Sequence, residues 1–92
     1  MQLEKDVESY LKKQVERLGG LCLKFESPGL SGVPDRLILY QGECYFVELK
    51  QKGKKPRPLQ LKRHKDFKVR GFPVAVIDRK EQVDEWIDQN LS

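Results

Sequence analysis

Two carboxylates and a lysine interrupt the most apolar part of this sequence. Asp35 precedes the stretch 36–40, and Glu48 and Lys50 close the stretch 43–50. Both stretches are rich in Leu, Ile, Val, Tyr and Phe, which strands favour. Gln41-Gly42 between them suits a two-residue hairpin turn. Side chains alternate between the faces of a strand, so Glu48 and Lys50 share one face while Val47 and Leu49 point the other way, into a core. Counting back from the turn pairs Tyr40 with Glu43 and brings Asp35 opposite Glu48, with Lys50 just past the strand end. Two adjacent carboxylates repel, and a cation relieves that repulsion. Oxygen ligands of this kind suit Mg²⁺ or Mn²⁺, which keep several waters and bind phosphate well. A lysine beside such an ion can hold, or help deprotonate, the water that attacks a phosphorus.

These residues need a scaffold, and the pattern around the hairpin supplies one. Leu3, Val7, Tyr10, Leu11, Gln14, Val15 and Leu18 recur at helical spacing, and Gly19-Gly20 stops the helix. Residues 21–25 form a short apolar strand. Residues 27–34 hold serine, proline and glycine in turn-forming order and read as a loop. A basic, proline-bearing connection over 52–58 leads to a helix over 59–70, whose apolar pattern is thin. Residues 72–77 are apolar without alternation, as expected of a strand covered on both faces. Asp78 and Glu81 then fit a capping box for a last helix whose buried stripe is Val83, Trp86, Ile87 and Leu91. Trp86 is expected in the core rather than stacked on a base. The order α-β-β-β-α-β-α predicts one α/β domain over 1–92, a mixed four-stranded sheet flanked by helices.

Charge adds a second theme. The chain carries 18 Lys+Arg against 14 Asp+Glu. Residues 50–70 hold ten of the basic residues and one acid, Asp66, so that segment is +9 and the remainder −5. Such a block is the electrostatic footprint of a polyanion-binding face, although a solvated helix can look the same. No run of 18 apolar residues exists, so no membrane span is expected, and the N-terminus lacks the apolar core of a signal peptide. Cys22 and Cys44 fit no metal-ligand spacing and are expected as reduced thiols of a cytoplasmic protein.

Pro34-Asp35 followed by Glu48-Leu49-Lys50 resembles the PD-(D/E)xK nuclease signature. The wider stretches resemble the VRR-NUC branch of that superfamily: Gly32-Val33-Pro34-Asp35-Arg36, Phe46-Val47-Glu48-Leu49-Lys50, Gln60, Val7-Glu8 and 19–24. The likeness covers almost the whole chain and suggests a domain of the stand-alone type encoded by phages and bacteria. It implies a restriction-endonuclease-like core close to archaeal Holliday junction resolvases. It further implies that Asp35 and Glu48 are the main metal ligands, with the Leu49 carbonyl and Glu8 completing the set, directly or through water. Lys50 would be the catalytic lysine, and Gln60 would orient Lys50 or the phosphate.

Other readings stay open at several positions. Glu8 and Glu4 both flank the apolar stripe of the first helix, where most acids are merely solvated. Gln60, His64 and Phe67 share a helix face; His64, the only histidine, is expected to be partly exposed, with a phosphate contact as the alternative. Lys24 could line the site or simply guard a strand edge. The expected activity is a Mg²⁺- or Mn²⁺-dependent DNA endonuclease favouring branched or junction DNA, as in DNA repair. Lys24, Lys52, Lys54, Lys55, Arg57 and Arg63 would hold the nucleic acid. The alternatives are a non-catalytic DNA-binding module of the same fold and an RNA-directed nuclease. A homodimer is expected, with Leu30 and Tyr45 contributing to its interface.

Overall fold

A computed structural model describes residues 3–92. The elements run α1 (Glu4–Arg17), β1 (Leu21–Lys24), β2 (Arg36–Tyr40), β3 (Glu43–Leu49), α2 (Pro58–Val69), β4 (Val74–Ile77) and α3 (Lys80–Asn90). The strands form one mixed sheet in the order β1-β2-β3-β4. β1 and β3 run antiparallel to β2, and β4 runs parallel to β3. A parallel neighbour needs a crossover, and α2 is that crossover.

The hairpin turns at Gln41 and Gly42, both with positive φ (47° and 79°). This left-handed pair is the backbone that a tight two-residue turn requires, and it fixes the register that follows. Tyr40 faces Glu43 and Arg36 faces Val47. One residue further, the same register sets Asp35 against Glu48.

The sheet separates two environments. On one face, Cys22, Ile38, Val47, Leu49 and Ile77 pack with Val7, Leu11 and Val15 of α1 and Val83, Trp86 and Leu91 in and after α3 to form the core. Tyr10 of α1 donates to Asp84 Oδ1 of α3 at 2.7 Å. On the other face, α2 lies over β3 and β4. Its apolar anchor is a cluster of rings around Phe46, whose centroid lies 4.8 Å from Phe67, 5.6 Å from Phe25 and 5.9 Å from Phe72. The thin apolar pattern of α2 is thereby explained: much of its inner face is polar and meets Glu48 and Lys50.

Three expectations need correction. β4 is an edge strand, and Val76 is exposed, so an apolar run here does not mean cover on both faces. The last helix starts one residue later than a cap at Asp78 implies. Its N-cap is Arg79, with no side-chain cap, while the Asp78 carboxylate accepts from Arg79 Nε at 2.8 Å and from the Gly53 N–H at 3.3 Å. Tyr45 is not spare apolar surface, because it packs against the domain's own core. Its ring packs edge-on against Trp86 and its hydroxyl donates to the Asn90 carbonyl at 3.2 Å. Both cysteines are free thiols, Cys22 buried and Cys44 half-buried. Among the described residues, no helix is long and apolar enough to cross a membrane.

Candidate active site

The site lies where β2 begins and β3 ends. Asp35 sits just before β2, and its Oδ1 accepts the Leu49 N–H at 3.1 Å. That bond extends the β2–β3 ladder through a side chain and holds the Asp35 carboxylate against the end of β3. The backbone is pinned on both sides: Phe25 N–H donates to the Asp35 carbonyl at 2.9 Å, and Lys50 N–H to the Ile77 carbonyl at 2.9 Å. The carboxylate and the lysine therefore project from paired backbone.

Glu48 is buried, with a side chain only 4 % exposed. Burial and the nearby Asp35 charge push its pKa up to about 7, against which Lys50 gives partial relief. Asp35 is also raised, chiefly by burial, with the Leu49 N–H opposing. Two crowded carboxyls that both resist ionisation are unfavourable as a purely structural feature.

Gln60 joins the parts. Its Oε1 accepts Lys50 Nζ at 2.7 Å and the Arg57 N–H at 2.9 Å, and its Nε2 donates to Glu48 Oε2 at 3.3 Å. With both ends of the amide committed, Gln60 fixes Lys50 relative to Glu48; Lys50 Nζ lies 3.9 Å from Glu48 Oε2. Since Arg57 is the N-cap of α2, the same contact anchors the helix start beside the site.

Glu8 is placed differently from the others. Its Oε2 accepts Arg36 NH2, and Arg36 NH1 donates to the Asp35 carbonyl at 2.8 Å. Arg36 is buried, so it forms a bridge between the first helix and the residue beside Glu48. Glu8 thus reaches Asp35 through Arg36, and no direct bond to either carboxylate exists among the described residues. Glu4, one turn earlier on α1, adds a smaller charge effect that raises Glu48, after burial, Asp35 and Lys50. No group of three or more His, Cys, Asp or Glu side chains is gathered as metal ligands among the described residues. A cation here would rest on Asp35, Glu48, backbone oxygen such as that of Leu49, and water.

The basic residues expected to hold nucleic acid divide into three groups. Lys52, Lys54, Lys55 and Arg57 are exposed on the connection that leaves Lys50, and the Gly53–Asp78 bond ties this connection to the end of β4. Arg63 has a structural commitment: Nε donates to the Ser31 carbonyl at 2.8 Å and NH1 to Asp66 Oδ2 at 3.0 Å, which holds the 27–34 loop to α2. Lys24 is exposed on β1 and lines a shallow hollow with Glu8, Lys12 and Arg36.

His64 departs from expectation. Its side chain is only 12 % exposed, and its Nε2 lies 3.6 Å from Glu48 Oε1. Its spacing of four from Gln60 was the available signal, but nothing in the sequence sets how closely α2 approaches the sheet. The role of Arg36 has no local signal in the sequence either, since its partners are the preceding residue and a distant helix.

Comparison with known proteins shows the family of the chain. No family model matches the chain. A protein titled "Putative nuclease p44", from Acyrthosiphon pisum secondary endosymbiont phage 1, is 43 % identical over 79 residues, covering 85 % of each chain. A solved structure described as a VRR_NUC domain is 42 % identical and superposes with a TM-score of 0.86, covering 95 % of this chain and 96 % of that one. Likeness of sequence and fold over nearly the whole length, with the carboxylate–lysine cluster at the end of the hairpin, places this chain in the VRR-NUC domain family of PD-(D/E)xK nucleases.

Proposed function

We propose that the domain is a Mg²⁺- or Mn²⁺-dependent endonuclease that hydrolyses DNA phosphodiester bonds, with a preference for branched or junction DNA. One observation carries the proposal: Asp35 and Glu48 are crowded together, both reluctant to ionise, beside a lysine whose amine is aimed by Gln60.

The donor set fits a hard divalent cation. Glu48 Oε1 is shielded from solvent and has no hydrogen-bond partner among the described residues, and the crowding of the two carboxyls is what a cation relieves. Asp35, Glu48 and the Leu49 carbonyl would hold the ion, with Glu8 contributing through water. When bound, such an ion acidifies a water and neutralises charge on phosphate oxygens. The chain supplies the remainder. Lys50 holds the attacking water or a phosphate oxygen, and Gln60 keeps Lys50 from collapsing onto Glu48. Lys52, Lys54, Lys55 and Arg57 hold phosphates on either side of the cut. Arg63 keeps the 27–34 loop in place beside the strand.

Paired incision across a junction needs two sites in fixed relation, which a symmetric dimer provides. An uncovered apolar surface favours such pairing. Leu21 and Leu23 of β1 stand opposite Leu39 and Leu37 of β2, on the sheet face that α2 leaves open. Leu21, Leu23 and Leu39 are 52 %, 42 % and 40 % exposed, and Leu30 is 42 % exposed. A stable interface buries roughly 1,200 Å² or more in total, and this patch joins Leu30 as an expected contributor.

The test is a panel of linear, flap, fork and four-way junction DNA, with RNA counterparts, incubated with Mg²⁺, Mn²⁺ or EDTA. Cleavage only with the metals, strongest on branched DNA, is expected. Tight binding without cleavage under every condition would leave a non-catalytic binding module instead, and cleavage of RNA alone would change the substrate class.

A further inference from the structure

We propose that His64 is a positioning residue for Glu48: its imidazole Nε2 holds Glu48 Oε1 while Gln60 holds Oε2, so that one helix fixes both oxygens of the carboxylate. The inference rests on the reading of Glu48 as a metal ligand and adds a residue to it.

Two buried polar atoms at the site are orphaned. Glu48 Oε1 and His64 Nε2 are both shielded from solvent, and among the described residues neither has a hydrogen-bond partner. A buried polar atom without a partner is costly, so such atoms occur where they have a use. These two face each other at 3.6 Å, a few tenths of an ångström beyond a normal N–H···O bond. A small rotation of either side chain closes the gap. Among the described residues no other side chain competes for Oε1, because Gln60 Nε2 and Lys50 Nζ both lie nearest to Oε2, at 3.3 and 3.9 Å.

Helix geometry makes the arrangement specific. Residues four apart stand one above the other on a helix face, so Gln60 and His64 present two donors to one carboxylate. The two flanking anchors restrain the helix at that height. Arg57 N–H binds Gln60 at the helix start, and Phe67 packs on Phe46 one turn after His64. The imidazole cannot easily withdraw, since its side chain is only 12 % exposed. A carboxylate gripped at both oxygens offers its remaining lone pairs in a set direction. Such orientation matters most to an ion with a strict octahedral preference, and outer partners of metal ligands typically contribute about 10–100-fold in affinity or activity.

The experiment measures Mn²⁺ binding by isothermal titration calorimetry to the folded protein without nucleic acid, for wild type, His64→Leu and His64→Gln. Glutamine keeps an N–H donor at similar reach, whereas leucine keeps only bulk. DNA affinity is measured in parallel in EDTA. His64→Leu is expected to weaken Mn²⁺ binding about tenfold or more, with His64→Gln restoring most of the loss and DNA affinity unchanged. The Mg²⁺ concentration for half-maximal cleavage should rise by a similar factor. Wild-type Mn²⁺ affinity in His64→Leu would overturn the proposal, whatever its melting temperature. Complete loss of Mn²⁺ binding in both variants would make His64 a ligand rather than a positioning residue. Reduced DNA affinity with Mn²⁺ binding intact would make it a phosphate contact. If the wild type itself takes up no Mn²⁺, the metal-ligand reading of Glu48 fails first, and the role of His64 with it.

Discussion

Replacing Glu48 with glutamine should stabilise the metal-free protein, and the gain should depend on pH in a defined direction. The Glu48 carboxyl titrates near 7 in the folded chain, against an ordinary value of 4.5. The folded state therefore binds its proton more tightly than the unfolded state. Below pH 4.5 both states are protonated and Glu48 carries no penalty. Between 4.5 and 7 the unfolded chain releases the proton while the folded chain keeps it, so stability falls as pH rises. Above 7 the penalty is complete. At ~1.4 kcal/mol per pH unit it amounts to about 3 kcal/mol, a large share of the ~5–14 kcal/mol typical of a domain this size. Glu48→Gln removes the titration but preserves the shape of the side chain and its bond to Gln60. Thermal unfolding of both proteins in EDTA, from pH 5 to pH 8.5, measures the effect. The wild type should lose roughly 10–20 °C across the range relative to the variant, at about 4–8 °C per kcal/mol. Adding Mg²⁺ at pH 8 should return much of that loss to the wild type and none to the variant. Parallel curves for the two proteins would mean that Glu48 is ionised at little cost and carries no such penalty.

Three further outcomes follow from other parts of the structure. Arg36→Met leaves Glu8 without its ion-pair partner and the Asp35 carbonyl without the guanidinium donor; since Glu8 is about a third exposed, the loss should be about 2 kcal/mol, below the ~3–5 kcal/mol of a fully buried pair, as read by urea unfolding. Gly32→Ala should cost about 1–3 kcal/mol, because Gly32 has a φ of +83° and an added Cβ would lie 3.0 Å from Leu59 Cγ and 3.1 Å from the Leu59 carbonyl oxygen. Its cleavage rate should fall too, since Leu59 adjoins Gln60. Neutralising Lys52, Lys54, Lys55 and Arg57 together should flatten the dependence of log K on log salt by up to about 0.9 for each phosphate that is no longer neutralised, measured by fluorescence anisotropy; an unchanged slope would place the DNA elsewhere on the surface.

How far the sequence predicted the site depends on which interactions are local. The pairing of Asp35 with Glu48 was legible because a two-residue turn and strict alternation determine it without reference to the rest of the chain. Element order was legible for the same reason, each helix and strand carrying its own period and stop. Long-range interactions were not. The burial of His64 depends on the depth at which α2 docks, and that is set by Phe67 on Phe46 and by Gln60 on Lys50. The Arg36–Glu8 pair joins a strand to a helix 28 residues away, and neither partner carries a local mark of it. Tyr45 and Val76 were misplaced because alternation tells which residues share a face, but not which part of that face a helix covers. The resemblance implies Glu8, and Glu4 adds a smaller charge effect on Glu48. One turn of α1 separates the two acids, and a sequence period alone does not choose between them.

Cleavage by Lys50→Ala under single-turnover conditions probes the central claim most directly. Lys50 is the one charged member of the cluster whose loss should leave the carboxylates able to hold a cation, so Mn²⁺ binding and the melting temperature serve as controls in the same sample. With a labelled branched DNA and saturating Mg²⁺, the variant should cut at least about a hundredfold more slowly than wild type, the lower end of what a positioned proton-transfer group contributes, while still binding Mn²⁺ and DNA. A rate within a few-fold of wild type, or full wild-type cutting in EDTA, would show that the Asp35–Glu48–Lys50 cluster is not where the phosphodiester bond is broken.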